Sequence, residues 1–173
     1  MKKFSEYLKV SVTLALVCGV VTLLLSYVYS VTSPIITKRN EEKAIELCRE
    51  VMDSETFEEI SVPEGMENIT MIYRASSGGY VFAATGNGYG GALTVMIGVR
   101  DSKVTGTAVL SSSETEGIGT KVDDSSFSER FKGITGENVS SVDVIAGATR
   151  SSNAYKNAVK AALEAYNEME AAK

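Results

Sequence analysis

The stretch from Val10 to Val31, VSVTLALVCGVVTLLLSYVYSV, carries no charged residue, and this run constrains the chain more than any other feature. A helix rises about 1.5 Å per residue, so the run covers the roughly 30 Å of a bilayer's hydrocarbon layer. Its polar members, Ser11, Thr13, Thr22 and Ser26, carry hydroxyls that can bond the helix's own carbonyls, so none opposes insertion. Tyr27 and Tyr29 stand where an interfacial aromatic belt is expected. A cleaved signal peptide is the rival reading, because Lys2 and Lys3 precede the run and Val28-Tyr29-Ser30 offers a small residue for cleavage. Signal cores are usually only about 7–15 residues long, and Val17 stands before Cys18 where a lipoprotein signal needs a small residue. The expectation is a retained helix over 10–31 in the cell membrane. Lys2, Lys3 and Lys9 against Lys38 and Arg39, three positive residues to two, favour residues 1–9 in the cytoplasm and the C-terminal part outside it.

Of the 173 residues, those beyond this helix suffice for one core and not for two. Ser33-Pro34 interrupts the first helix, and Asn40 can cap a second one running to about Met52, with Ala44, Ile45, Leu47, Cys48, Val51 and Met52 on an apolar stripe. Residues 32–60 are thus a membrane-proximal stalk helix and linker, and residues 61–173 the folded domain. From Ile69 the period changes. Ile69 to Arg74, Gly79 to Thr85, Ala92 to Arg100 and Lys103 to Leu110 are short β-rich runs, and Asp101-Ser102 between the last two is short enough for a hairpin turn. A short helix is expected around Ser126 to Phe131 and a strand from Val139 to Ile145. A final helix over Ser152 to Ala171 has Tyr155, Val159, Leu163 and Tyr166 at helical spacing. The class is α+β: an antiparallel sheet with packed helices, preceded by a single N-terminal transmembrane helix.

Composition removes several functions. Histidine is absent, which takes away the usual neutral-pH base, the commonest zinc ligand and any Ser-His-Asp or Cys-His arrangement. A net charge of −5 without a basic run argues against a nucleic-acid partner. Cys18 lies in the apolar run and Cys48 beyond it, so they form neither a disulfide framework nor a metal cluster.

Four glycine-centred places remain. Gly86-Asn87-Gly88-Tyr89-Gly90-Gly91 lies between two strands, where glycines serve a turn or let a flat ligand lie against backbone. It fails as a dinucleotide fingerprint, because a strand follows it and no βαβ unit surrounds it. Glu114-Thr115-Glu116-Gly117-Ile118-Gly119-Thr120-Lys121 offers consecutive backbone amides and a cation, a nest that suits an anion, although a lysine after glycines is most often simply solvated. In Asp143-Val144-Ile145-Ala146-Gly147-Ala148-Thr149-Arg150-Ser151-Ser152 a strand ends in small residues and a helix begins. Free amides and the helix dipole then point at whatever sits by Thr149. Ordinary capping by Ser151 or Ser152 explains the same pattern, and both can hold together. Ser76-Ser77-Gly78-Gly79 reads as a turn.

The combination of Gly88-Tyr89-Gly90-Gly91, Glu114-Thr115-x-Gly117-Ile118-Gly119-x-Lys121 and Gly147-Ala148-Thr149-Arg150-Ser151 preceded by Asp143, behind one anchor, resembles the FMN-binding domain of the G subunit of the Rnf electron-transport complex. That family is similar to the C subunit of sodium-translocating NADH:quinone reductase. The resemblance implies that FMN is joined covalently to Thr149 through a phosphoester made by a separate flavin transferase, which reads Asp143, Gly147, Ala148 and Ser151. It also implies that the domain lies outside the cytoplasm and that the other membrane and soluble subunits of the complex are its partners. The chain would be a carrier subunit of an ion-translocating oxidoreductase, without catalysis of its own. Lys121 and the backbone from Gly117 to Gly119 are expected to touch the flavin or its phosphate. Glu114 and Thr115 are expected among the cofactor-binding residues, and the loop Tyr89, Gly90, Gly91 is expected to lie close to the ring. Ala146 replaces a frequent Ser or Thr, and Glu116 a frequent Pro. A free-standing flavinylated protein or the quinone-reductase subunit would share Thr149 and differ in partners. In a reading of another class, a tethered binding domain, the glycines are only turns.

Overall fold

The computed structural model describes residues 2–66 and 68–172, and within them the side chains other than those of residues 2–10 and 37. The cations of Lys2, Lys3 and Lys9, on which the expected orientation rests, are outside the described side chains. Helix α1 spans Lys2–Val51 and is the helix among those described that is long and apolar enough to cross a membrane, with none of its apolar window buried. Thr22 donates its hydroxyl to the Cys18 carbonyl at 2.8 Å, as a hydroxyl in an apolar helix should. The expected interruption does not occur: the helix continues through Pro34, so Asn40 is an interior residue and caps nothing. Proline removes a single amide from the ladder, and a strongly apolar helix tolerates that loss.

The chain divides into Met1–Glu41 and Glu42–Lys173. In the second unit five antiparallel strands follow one another in space as in sequence: β1 (Phe57–Ile60), β2 (Ile69–Ala75), β3 (Tyr80–Asn87), β4 (Ala92–Arg100) and β5 (Lys103–Ser112). Helix α2 (Ser125–Ser128) and short 3-10 turns lead to helix α3 (Thr149–Ala171). Both faces of the sheet are covered, and strand periodicity sorts the side chains between them. Tyr80, Phe82 and Ala84 join Leu93, Val95 and Ile97 against Tyr155, Val159 and Leu163 of α3. Val81, Ala83 and Met96 join Ala44, Leu47, Cys48, Val51 and Met52 from the end of α1. The expected stripe on residues 44–52 therefore packs, except for Ile45, which stays exposed.

Two glycines bring the end of α1 onto the sheet. Gly98 and Gly106 are paired across β4 and β5, and a Cβ on either would press on the Val51 carbonyl oxygen at 2.7 or 2.8 Å. The Thr105 hydroxyl donates to that same oxygen at 2.7 Å, satisfying a carbonyl the helix terminus leaves free. The expected hairpin forms at Asp101 and Ser102, with φ of 52° and 57°, the left-handed pair of a two-residue turn. Edge strand β5 is shielded. Register shifts opposite Thr94/Val95 and Gly98/Val99 bulge it, and Lys43 Nζ covers the Val109 and Leu110 carbonyls at 3.1 and 2.6 Å.

Two elements differ from expectation. Phe57–Ile60 adds a strand that its short, two-glutamate sequence did not announce. The strand expected over Val139 to Ile145 is absent: Gly136–Ser141 is a 3-10 turn and Val142 to Ile145 is irregular. Val139 and Val142 still bury, but their spacing is not two, and the Lys156 ammonium takes the Ser140 and Val142 carbonyls at 2.9 and 2.7 Å in place of a neighbouring strand.

Gly106→Ala should lower the stability of the domain by about 1–3 kcal/mol through overpacking against Val51, read as a drop in thermal unfolding midpoint; an unchanged midpoint would refute the close approach.

Candidate functional site

The glycine loop between β3 and β4, the loop after β5 and the start of α3 meet at one carboxylate. Glu114 Oε1 accepts the Tyr89 amide at 2.8 Å, while Oε2 accepts the Gly90 amide at 3.2 Å and the Ser151 hydroxyl at 2.9 Å. Glycine is required around it for space. A Cβ on Gly88 would overlap Oε1, and a Cβ on Gly119 would lie 2.7 Å from Glu114 Cβ and 3.0 Å from Ser151 Oγ. The loop also closes on itself, the Gly88 amide donating to the Gly91 carbonyl at 2.8 Å.

The nest expected over Gly117 to Thr120 is not open. The Thr115 carbonyl accepts from the amides of Ile118, Gly119 and Thr120 at 3.2, 2.9 and 3.4 Å, and the Gly117 amide donates to Thr120 Oγ1 at 2.9 Å. A short loop that turns back into a 3-10 helix consumes its own donors, leaving none for an anion. The amides at the start of α3 are different. Among the described residues no side chain caps this terminus, whose N-cap position is Ala148. Neither serine caps it, because both hydroxyls point inward from the first turn. Ser151 is engaged with Glu114, and Ser152 Oγ accepts the Ile145 amide at 3.1 Å. The preceding turn is closed by the Ala148 amide on the Ile145 carbonyl at 2.9 Å, with Gly147 at φ 83°, a conformation that favours glycine.

These three segments enclose a cavity of about 250 Å³ lined by Tyr89, Glu114, Thr115, Ile118, Gly119, Gly147, Ala148, Arg150 and Ser151. The structure so brings together eight of the residues singled out from the sequence and adds Arg150. Position alone could have found Arg150, a cation next to the threonine in the first turn of a helix. Tyr89 and Ile118 are exposed at the mouth, 75 and 54 % accessible, far more than side chains of their kind in the core. Thr149 is exposed as the first residue of α3, between the lining residues Ala148 and Arg150. Lys121, Gly90, Gly91, Gly117 and Asp143 are outside the lining: Lys121 and Asp143 are exposed, and the Asp143 carbonyl accepts from Arg130 at 3.5 Å. Thr149 itself is not among the lining residues; the lining offers the Arg150 guanidinium beside amides that no side chain caps, and the exposed side chains of Tyr89 and Ile118. It suits a molecule that has both an anionic group and an apolar surface.

Residues 88–164 match the model of the FMN-binding domain family. Over most of its length the chain is similar to components of redox complexes. It is 26% identical to the G subunit of the proton-translocating ferredoxin:NAD(+) oxidoreductase complex from Clostridium ljungdahlii, across 87% of this chain and 86% of that one. It is 28% identical to the G subunit of the ion-translocating oxidoreductase complex from Methanosarcina acetivorans, across 95% and 96%. The corresponding protein of Aliivibrio fischeri is 30% identical across 66% of this chain and 62% of its own.

Glu114→Ala leaves the Tyr89 and Gly90 amides without their acceptor, and the loss is expected to cost about 1–3 kcal/mol. Hydrogen exchange of residues 88–91 should quicken while exchange of the central strand β3 keeps its rate; unchanged exchange in the loop would show that Glu114 does not hold it.

Proposed function

We propose that the chain is a membrane-anchored electron-carrier subunit whose FMN is attached through a phosphoester to the Thr149 hydroxyl. The observation that carries this reading is the exposed Thr149 at the uncapped start of α3, inside a match to the FMN-binding domain. The family and the similar subunits support the coarser statement directly: an electron-transfer subunit of an oxidoreductase complex.

The residues fit the group. Amides at the start of α3 and the Arg150 guanidinium suit a phosphate esterified at Thr149. Gly147 and Ala148 leave room for the chain that follows it, and Tyr89 and Ile118 offer exposed apolar walls. Glu114, Thr115, Gly119 and Ser151 keep those walls in place, with Gly90, Gly91 and Gly117 letting the loops turn. Asp143, exposed and off the cavity, is read as part of the surface a flavin transferase recognises. The flavin supplies one- or two-electron transfer when bound, and the protein sets its potential and exposure.

Covalent attachment keeps the cofactor from being lost outside the cytoplasm. The apolar length of α1 and the ion-translocating complexes named for the similar proteins support a single-pass anchor, and the excess of Lys2, Lys3 and Lys9 over Lys38 and Arg39 favours residues 1–9 in the cytoplasm and the domain outside. Partners are then the other membrane and soluble subunits, and electrons pass between ferredoxin and NAD through the assembly.

Made together with a flavin transferase, the chain should fluoresce as a flavin band at its own mass after denaturation, and Thr149→Ala should lose that band. Absence of the band in the unchanged chain, or its persistence in the variant, overturns the attachment. Lys121→Ala should shift the flavin potential or lower flavin content; if neither changes, Lys121 has no part in the site.

A further inference from the structure

Asn87-Gly88 is the one Asn-Gly pair in the sequence, and it opens the glycine loop that Glu114 holds. Asparagine followed by glycine is the most reactive asparagine pair in a polypeptide. The backbone nitrogen of the second residue attacks the side-chain carbonyl carbon of the first, and a glycine, lacking Cβ, lets the two come close. Asn87 is exposed as the last residue of β3, so water reaches its carboxamide. Gly88 cannot be exchanged for a slower neighbour, because a Cβ there would overlap Glu114 Oε1. The carboxylate that builds the cavity wall thus demands the residue that makes Asn87 reactive.

Two features block the reaction while the loop is closed. The attacking nitrogen, that of Gly88, has its N–H on the Gly91 carbonyl at 2.8 Å. Asn87 is paired with Ala92 across β3 and β4, and the extended backbone of a strand turns its side chain away from the next amide. One event removes both, the opening of the loop, which the Tyr89 and Gly90 amides resist through their bonds to Glu114 at 2.8 and 3.2 Å. The strand before it stays fixed: Ala83 and Ala84 are fully buried, and Gly86 packs on Ala154 of α3. Opening is therefore a local event and needs no unfolding of the sheet.

We propose that Asn87 is a site of spontaneous deamidation whose rate is set by opening of the loop that Glu114 holds. In the open loop the Gly88 nitrogen bonds to Asn87 Cγ, the Cγ–Nδ2 bond breaks, and ammonia leaves with the proton of the Gly88 amide. A five-membered imide joins the two residues. Water then opens the ring at one of its two carbonyls. At Cγ it gives aspartate; at the backbone carbonyl it gives isoaspartate, in which the main chain runs through the former side chain. Ammonia is exchanged for water, and nothing is oxidised or reduced. The attacking form is the deprotonated amide, so the rate rises with pH. Either product alters the site. Aspartate puts a negative charge one residue from Gly88, against which the Glu114 carboxylate packs. Isoaspartate lengthens the main chain ahead of Tyr89, whose amide has to reach Oε1.

The test is a time course of the full-length chain in detergent at mildly alkaline pH, followed by peptide mass mapping and by enzymatic methylation of isoaspartate. The folded chain is expected to deamidate at Asn87 before its other asparagines, and the same chain in denaturant to do so much faster. Glu114→Ala should raise the folded rate about tenfold, the effect of removing a hydrogen bond to a charged group, with unchanged hydrogen exchange in β3 showing that the domain is still folded. Glu114→Gln, which keeps one acceptor, should give a rate between the two. Asn87→Gln, whose larger ring closes far more slowly, should stay unmodified over the same period. Exchange of residues 88–91 should quicken as the unchanged chain ages and hold steady in Asn87→Gln. Equal rates with and without the Glu114 carboxylate, or isoaspartate accumulating first at another residue, overturns the proposal. None of these readouts involves flavin, so they stand apart from attachment at Thr149.

Discussion

Everything at the site is arranged around Glu114. Its carboxylate takes donors from the β3–β4 loop and from the first turn of α3, two segments more than fifty positions apart in the chain, and so determines where the cavity walls stand. Charge-assisted bonds of this kind are roughly twice as strong as neutral ones, and here they are bonds to backbone and serine donors that leave no room for variation in the surrounding loop. The glycines at 88 and 119 follow from this. They clear space for the carboxylate, a packing role distinct from direct contact with a bound ring.

That distinction explains what could and could not be read from the sequence. Periodicity disclosed the strands from Ile69 to Ser112 and the helix ending at Ala171, because each buries a face and carries its pattern along its length. It did not disclose β1, four residues held mainly by pairing with β2, nor the irregular path after Val139, whose carbonyls are taken by Lys156, a residue far along the chain. That the three motifs belong together was legible, and residues of all three line one cavity, but the roles of their atoms were not. Gly117 to Thr120 looked like an anion nest, and only the Thr115 carbonyl, shared among three amides, shows that its donors are spent. Ser151 and Ser152 looked like caps and instead face inward, because the helix begins earlier, at Thr149. Proline at 34 looked like a stop, and α1 passes through it.

The sheet itself constrains how the molecule can meet others. With β3 and β4 buried on both faces and β5 bulged and plugged by Lys43, neither a sheet face nor that strand edge is open for a partner. The exposed apolar groups of the domain that remain by the site, Tyr89 and Ile118, stand at the cavity mouth. What a partner would meet by the site is therefore its loops and not its scaffold.

The last turns of α1 are at once the end of one element and part of another's core. Ala44, Leu47, Cys48 and Val51 cover Val81, Ala83 and Met96. Proteolytic release of a water-soluble fragment would have to cut before Glu42. A cut in the exposed stretch after Met52 would leave the covering helix behind with the apolar part of α1, bare one face of the sheet, and yield a fragment prone to aggregate before it could be studied.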